Sequence, residues 1–220
     1  NYNLIWITMP RDKDITYKGK LNNYLKNLLS IHNKKRLDAE NKYFSNAGKI
    51  AKTKCKKIFN LNRKKDNNKM IDKIFFQFKP NLFITYGCKK IDISKIKKKL
   101  KHHCYFWNLH AGLSPWYRGS ITHFWPSYML EPEFTGVTLH EITNDIDWGP
   151  VIDQTKTKLK KTDGIHDTSC KSILNFGNSL KNKIKKTFDS KYKIKGIPHQ
   201  SHGRIWTNKM WSPKHLKLIY

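Results

Sequence analysis

Apolar residues along the chain fall into short runs separated by strongly polar stretches. The run 4–8, Leu-Ile-Trp-Ile-Thr, favours β structure and is closed by Met9-Pro10, which predicts a buried strand followed by a loop. From 11 to about 40 the sequence is polar and irregular, with one weakly helical stretch near 21–29. Ser45 is placed to cap a helix running to Lys54, which leads into a short strand at 57–60. Met70, Ile71, Ile74, Phe75 and Phe78 then recur at helical spacing, a stripe that predicts a helix over 68–78 stopped by Pro80. The run 81–86 reads as a buried strand ending at Gly87, a lysine-rich helix follows at 94–101, and 104–109 is a further strand.

Strands alternating with helices predict an α/β fold, a Rossmann-like, doubly wound and mostly parallel sheet. Sites in such sheets lie beyond the carboxyl ends of the strands, which brings Tyr86-Gly87 and Asn108–His110 to one edge. Past His110 the pattern becomes turn-rich, with Gly112, Pro115 and Gly119. A helix is expected over 120–128, strands at 135–141 and 151–155, and a polar loop at 144–149 between those strands. A long helix is expected over 167–188, and the alternating tail 203–211 predicts a strand or hairpin.

Composition adds one strong signal. The 220 residues carry a formal net charge of +28, which invites a nucleic-acid reading. Only five of the 44 basic residues are arginine, and asparagine, isoleucine and lysine are abundant together, as a compositionally biased genome produces them. Base and phosphate readers favour arginine where bidentate geometry matters. Much of the charge therefore reads as a solvated lysine surface, and a basic nucleic-acid-binding protein stands as the non-enzyme alternative. The four cysteines, Cys55, Cys88, Cys104 and Cys170, are widely spaced without a CxxC, which predicts a reducing, cytoplasmic compartment rather than a disulfide framework. No metal is expected, because the adjacent His102, His103 and Cys104 cannot converge on one ion. No run approaches a membrane span. The chain opens on Asn1 rather than Met, so a missing start is expected.

Three residues carry candidate chemistry. An imidazole at a strand end, His110, suits general acid/base work near neutral pH. The Asn108 amide beside it is a neutral donor for a developing oxyanion. A carboxylate in a Gly-bounded loop, Asp147, is placed to orient the ring or relay a proton. The trio suits attack of an amine on an acyl carbon, and no activated serine or cysteine points to a covalent intermediate. Each residue also has an ordinary reading, a local hydrogen bond for His110 and a turn for Asp147.

The stretch Asn108-Leu-His110-Ala-Gly-Leu-Ser-Pro115-Trp-Tyr-Arg118-Gly119, then Gly136-Val-Thr-Leu-His140, then Asp147-Trp-Gly149 closing on Gln154 resembles the folate-dependent formyltransferases. Gly112 and Ser114 depart from that family's usual serine and leucine in the turn. The resemblance implies that Asn108 holds the formyl oxygen, His110 assists the tetrahedral step and Asp147 is the base or relay. It implies N10-formyltetrahydrofolate as formyl donor. The donor's pterin would lie, largely on backbone groups, against Tyr86, Gly87 and Cys88 and against Leu139, His140, Glu141, Asn144 and Asp145.

The segment 117–126 and the tail 203–216 resemble the branch that formylates nucleotide-linked amino sugars, which implies a dTDP- or UDP-linked 4-amino-4,6-dideoxyhexose as acceptor. Glycinamide ribonucleotide and methionyl-tRNA formyltransferases are the alternatives. Lys89, Lys90 and Arg118 are candidate diphosphate partners, with Tyr117 and Gly119 beside them. Trp206 and Trp211 either stack on a base or pack in the hairpin, packing being the commoner fate of such rings. The expected organisation is a catalytic domain over 1–190 and a tail over 191–220 that forms a dimer interface, giving a homodimer without membrane attachment.

Overall fold

The computed structural model describes residues 2–9, 14–61, 67–88, 91–189 and 193–220. In chain order the elements are β1 (Ile5–Thr8), α1 (Asn23–Phe44), α2 (Ala47–Lys54), β2 (Lys57–Asn60), α3 (Asn68–Phe78), β3 (Leu82–Tyr86), α4 (Ser94–Lys99) and β4 (Tyr105–His110). They continue as β5 (Tyr117–Gly119), α5 (Trp125–Tyr128), β6 (Gly136–Glu141), β7 (Val151–Lys156), α6 (Ile165–Asp189), β8 (Arg204–Trp206) and α7 (Leu216–Ile219). The chain separates into two compact units, one of Asn1–Ile15, Phe44–Phe83 and Cys88–Tyr105, the other of Thr16–Tyr43, Ile84–Gly87 and Phe106–Tyr220.

In the first unit β1 and β2 pair in parallel, Ile5 opposite Lys57 through Thr8 opposite Asn60. The α3 stripe buries Ile71, Ile74 and Phe75, and Lys79 ends the helix in the left-handed region at φ 45. Phe75 meets Phe83 edge-on at 4.9 Å, an aromatic geometry that adds to simple burial. Met70, expected in that stripe, stands exposed. The helix expected from Ser45 begins instead at Ala47, with Asn46 at its cap and no side-chain capping bond.

In the second unit a four-stranded sheet has the order β3-β4-β6-β7. Here β6 runs antiparallel to both β4 and β7, within the α/β fold that was expected. The short 142–150 connection accounts for the β6–β7 pair, because a brief loop returns a strand antiparallel to the one before it. Helix α6 covers β6 and β7 and buries Cys170 and Phe176.

Helix α1 is 22 residues long, far beyond the weak stretch near 21–29. Its buried face is only Leu25, Leu28, His32 and Ala39, and a thin stripe that includes a histidine gives little periodic signal. Only the last part of the expected 120–128 helix forms, because Gly119 and Ile121 take φ of 95 and 59. The tail does not fold into a hairpin, since β8 pairs in parallel with β5. The expected 190/191 boundary falls on residues 190–192, outside the described residues, and those from 193 onward pack within the second unit. No helix among the described residues is long and apolar enough to cross a membrane.

Candidate active site

Asn108 and His110, two apart on β4, lie on one face of the sheet. The register sets His140 of β6 directly opposite Asn108, so its ring shares that face. A bulge between Leu139 and His140 occurs where such irregularities re-aim a side chain. On β3, Thr85 donates to Asn108 Oδ1 at 2.7 Å, which fixes the amide with its nitrogen toward the loop that carries Asp147. Asn108 Nδ2 then donates to Asp147 Oδ1 at 3.1 Å and lies 3.0 Å from His140 Nε2. Both amide hydrogens are engaged, so an incoming carbonyl oxygen must displace one of these partners.

Backbone carbonyls only accept, and that settles the protons of both rings. His110 Nε2 donates to the Tyr117 carbonyl at 2.7 Å, leaving Nδ1 to face Asp147 Oδ2 at 3.2 Å. His140 Nδ1 donates to the Glu141 carbonyl at 2.8 Å, so Nε2 is the nitrogen turned to Asn108 Nδ2, and it lies 3.4 Å from Asp147 Oδ1. A bare Nδ1 and a carboxylate oxygen do not attract one another, so a proton belongs between His110 and Asp147. Burial draws the His110 pKa down, against the charge of Asp147 and the Tyr117 carbonyl. Burial alone raises Asp147, but His140, His110 and the Gly119 N–H hold the carboxyl below its ordinary value. The shared proton is therefore weakly held on the ring, as a proton relay requires.

Asp147 sits at φ 46, a left-handed conformation that Asp tolerates better than most residues. Its Oδ2 accepts the Gly119 N–H at 2.9 Å, and a Cβ on Gly149 would overlap the Glu141 carbonyl oxygen. Arg118 braces the same loop, donating to the Ile146 carbonyl through Nε at 3.0 Å and Nη2 at 2.7 Å. Its guanidinium also lies 4.2 Å from the Trp148 ring centroid. Gly112 leaves room for the His110 ring, which a Cβ would crowd at Nε2.

The described residues among the expected acceptor-binding positions are engaged within the protein. Arg118, 7% exposed, is turned onto backbone and indole. Tyr117 is buried, its hydroxyl bonded to Glu131 at 2.7 Å and its carbonyl committed to His110. Gly119 gives its N–H to Asp147. Trp206 and Trp211 are each 5% exposed, so both indoles pack in the interior and neither is open to a base. Lys89 and Lys90 lie outside the described residues.

The expected donor-binding positions divide between exposed and buried sites. Tyr86 is exposed, and Asn144 and Asp145 stand on the open loop. Gly87 takes φ 58, and Cys88 is exposed and outside any disulfide. The Leu139 and His140 side chains are buried, leaving only backbone there, while Glu141 Oε1 accepts the Gly196 N–H at 2.9 Å. Sequence reasoning missed Thr85, the His140 ring as a partner of Asn108, and the Tyr117 carbonyl. Only the His140 ring had a signal, lying on a strand beside the site.

Known proteins resemble this chain in sequence and in fold. A methionyl-tRNA formyltransferase of Prochlorococcus marinus (strain MIT 9215) is 31% identical over 118 residues, 50% of this chain and 35% of that protein. The chain thus spans about a third of that relative's length. Among solved structures, a sugar N-formyltransferase from Shewanella sp FDAARGOS_354 superposes with a TM-score of 0.57 at 16% identity, covering 98% of this chain and 86% of that one. The formyltransferase PseJ from Anoxybacillus kamchatkensis, solved with UDP-4,6-dideoxy-4-formamido-L-AltNAc and tetrahydrofolate, gives 0.52 at 18% identity over 95% and 87%. These likenesses establish the fold. Residues 15–176 match the formyl transferase family over well beyond half the chain, and the protein belongs to that family.

Proposed function

We propose that the protein transfers a formyl group from N10-formyltetrahydrofolate to the amino group of a nucleotide-linked amino sugar. The observation that carries the chemistry is the Asn108–His110–Asp147 constellation, a fixed N–H donor beside a loosely held proton. The open loop at 143–146 and the exposed Tyr86 fit a flat donor held largely by backbone. When bound, the folate supplies the formyl group at the oxidation level of formate.

Asn108 Nδ2–H stabilises negative charge developing on the formyl oxygen. The amine nitrogen bonds to the formyl carbon, the bond from that carbon to N10 breaks, and the electron pair stays on N10. The His110–Asp147 pair takes a proton from the amine and returns one to N10, so charge balances without an external acid. Asn108→Ala is expected to lower kcat about 10² to 10³-fold, as loss of one such donor does.

For the acceptor, the resemblance of 117–126 and 203–216 to the sugar branch supports a dTDP- or UDP-4-amino-4,6-dideoxyhexose. So does a structural likeness to sugar N-formyltransferases over nearly the whole chain. A homodimer in a reducing, cytoplasmic compartment belongs to the same reading, and sedimentation of the pure protein checks the dimer. The deciding test offers 10-formyltetrahydrofolate with both nucleotide sugars, glycinamide ribonucleotide and methionyl-tRNA, and looks for a one-formyl mass gain. Formylation of a nucleotide sugar, lost in His110→Asn and Asp147→Asn, is expected. Gain on another acceptor alone overturns the substrate, and an active double variant overturns the site.

A further inference from the structure

Every residue of β5 is engaged with the catalytic pair or its loop. The Tyr117 carbonyl holds His110, the Arg118 guanidinium holds Ile146 and the Gly119 N–H holds Asp147. A three-residue strand cannot fix its own place, and the strand it pairs with is β8, with Tyr117 opposite Arg204 and Gly119 opposite Trp206. The Ser120 N–H extends that pairing to the Trp206 carbonyl at 2.8 Å, and a Cβ on Gly119 would overlap the same oxygen.

Trp206 anchors β8. Its indole stacks on Trp125 at 4.5 Å and 21° and faces the Tyr117 ring at 5.9 Å and 8°. Its Nε1 donates to the Trp116 carbonyl at 3.3 Å. Upstream, the same segment grips the stem of the Asp147 loop. Ile197 and Val151 exchange two backbone hydrogen bonds of 2.8 Å, and the His199 ring stacks 4.6 Å from Trp148. The family match ends at residue 176, so this strap lies wholly beyond it.

We propose that β8, anchored by Trp206, is a positioning element that acts through β5 to keep the His110 Nε2–H on the Tyr117 carbonyl, so that Nδ1 faces Asp147, and to keep Asp147 in reach of it. The proposal rests on the reading of that pair as the transfer site. If the strap slips, the Tyr117 carbonyl leaves the ring, the Nε2–H loses its fixed acceptor, and the Gly119 N–H leaves the carboxylate. Misplacement of catalytic groups by about 1 Å costs on the order of 10² in rate.

The test compares Trp206→Leu, Trp206→Phe and Ile205→Pro with the wild type. Ile205 is partly exposed, so its proline variant disturbs the ladder while the Trp206 indole stays in place, and it answers the question if Trp206→Leu does not fold. Ring nitrogen NMR of labelled His110 is expected to show one state in the wild type, with Nε2 protonated and the shared proton on the Nδ1 side. Several states or averaged signals are expected in Trp206→Leu and Ile205→Pro, and recovery in Trp206→Phe, which restores an aromatic stack. With a reactive acceptor, kcat falls about 10- to 100-fold and the pH profile shifts, while KM for the donor stays within about twofold. Folded variants that keep the wild-type ring signals and pH profile overturn the proposal. If no acceptor reacts even with the wild type, the ring signals still decide the positioning role, and only the activity reading fails.

Discussion

Acidification is expected to unfold the second unit far sooner than its carboxylates dictate, through three buried imidazoles. Burial lowers His32 to about 3 and His123 to about 4, and His166 to about 4. Nearby positive groups add to burial at His32 and His166, whose rings are 4.5 Å apart. The folded values lie below the ordinary 6.5 of the unfolded chain, so the unfolded state takes up protons first. The stabilisation is complete above about pH 6.5 and is lost as pH falls toward the folded values. Near pH 5 each unfolded imidazole is almost fully protonated and each folded one almost bare, a slope of about 1.4 kcal/mol per pH unit per ring. Integrated from pH 7.5 to 5, that is about 2 kcal/mol each and about 6 kcal/mol for the three. A loss of that size approaches the whole stability of a typical domain. Asp147 and Asp167, both held below their ordinary value of 3.8, contribute acid lability only below this window. Urea unfolding at pH 7.5, 6 and 5 measures the loss, and His32→Gln should remove about a third of it. A free energy that stays level across the range, or a His32→Gln slope equal to wild type, would refute the reasoning.

Three further outcomes follow from the site. Thr85→Val removes the donor that fixes the Asn108 amide, and kcat should fall about tenfold, one lost orienting bond, with KM unchanged; Thr85→Ser should restore it, and steady-state kinetics on the three proteins decides. Arg118→Lys keeps the charge but loses the two-point grip on Ile146 and the stack on Trp148, so kcat should drop with acceptor KM within about twofold; an effect confined to KM would instead favour a phosphate-binding role. Gly119→Ala forces a Cβ onto the Trp206 carbonyl at φ 95, and chemical denaturation should show a loss of at least about 1 to 3 kcal/mol, accompanied by loss of transfer.

Much of this was legible from the order of residues. The continuous apolar runs on β3 and β4 announce buried strands, and the Asn108–His110 spacing puts both side chains on one face whatever the partners. Asp147 was identifiable because Gly149 forces a tight loop just after it. The pairing of β8 with β5 was not legible, since three residues carry no periodicity and Trp206 meets the Trp116 carbonyl across a separation of 90 residues. Arg118 carries two readings for a physical reason. A guanidinium in a candidate phosphate site reads as an anion partner, yet its planar fork serves a backbone carbonyl and an indole equally well. The length of α1 was hidden because its buried stripe is completed by His32, whose ring is satisfied by the Tyr220 hydroxyl at 3.0 Å.

The deepest part of the site is invisible to sequence because main-chain groups write it. Two imidazoles and one carboxylate within 3.4 Å have several proton arrangements of similar energy when only side chains are counted. The Tyr117 and Glu141 carbonyls remove that degeneracy, one claiming Nε2 of His110 and the other Nδ1 of His140. His110 must then offer Nδ1 to Asp147, while His140 must offer Nε2 toward the Asn108 amide. One ring is thereby assigned to proton exchange and the other to holding the oxyanion donor, although the two residues are chemically identical. Because any residue at 117 or 141 has a carbonyl, no side-chain pattern records the assignment. It depends on where β5 and β6 lie, and for β5 that means on the strand that holds it.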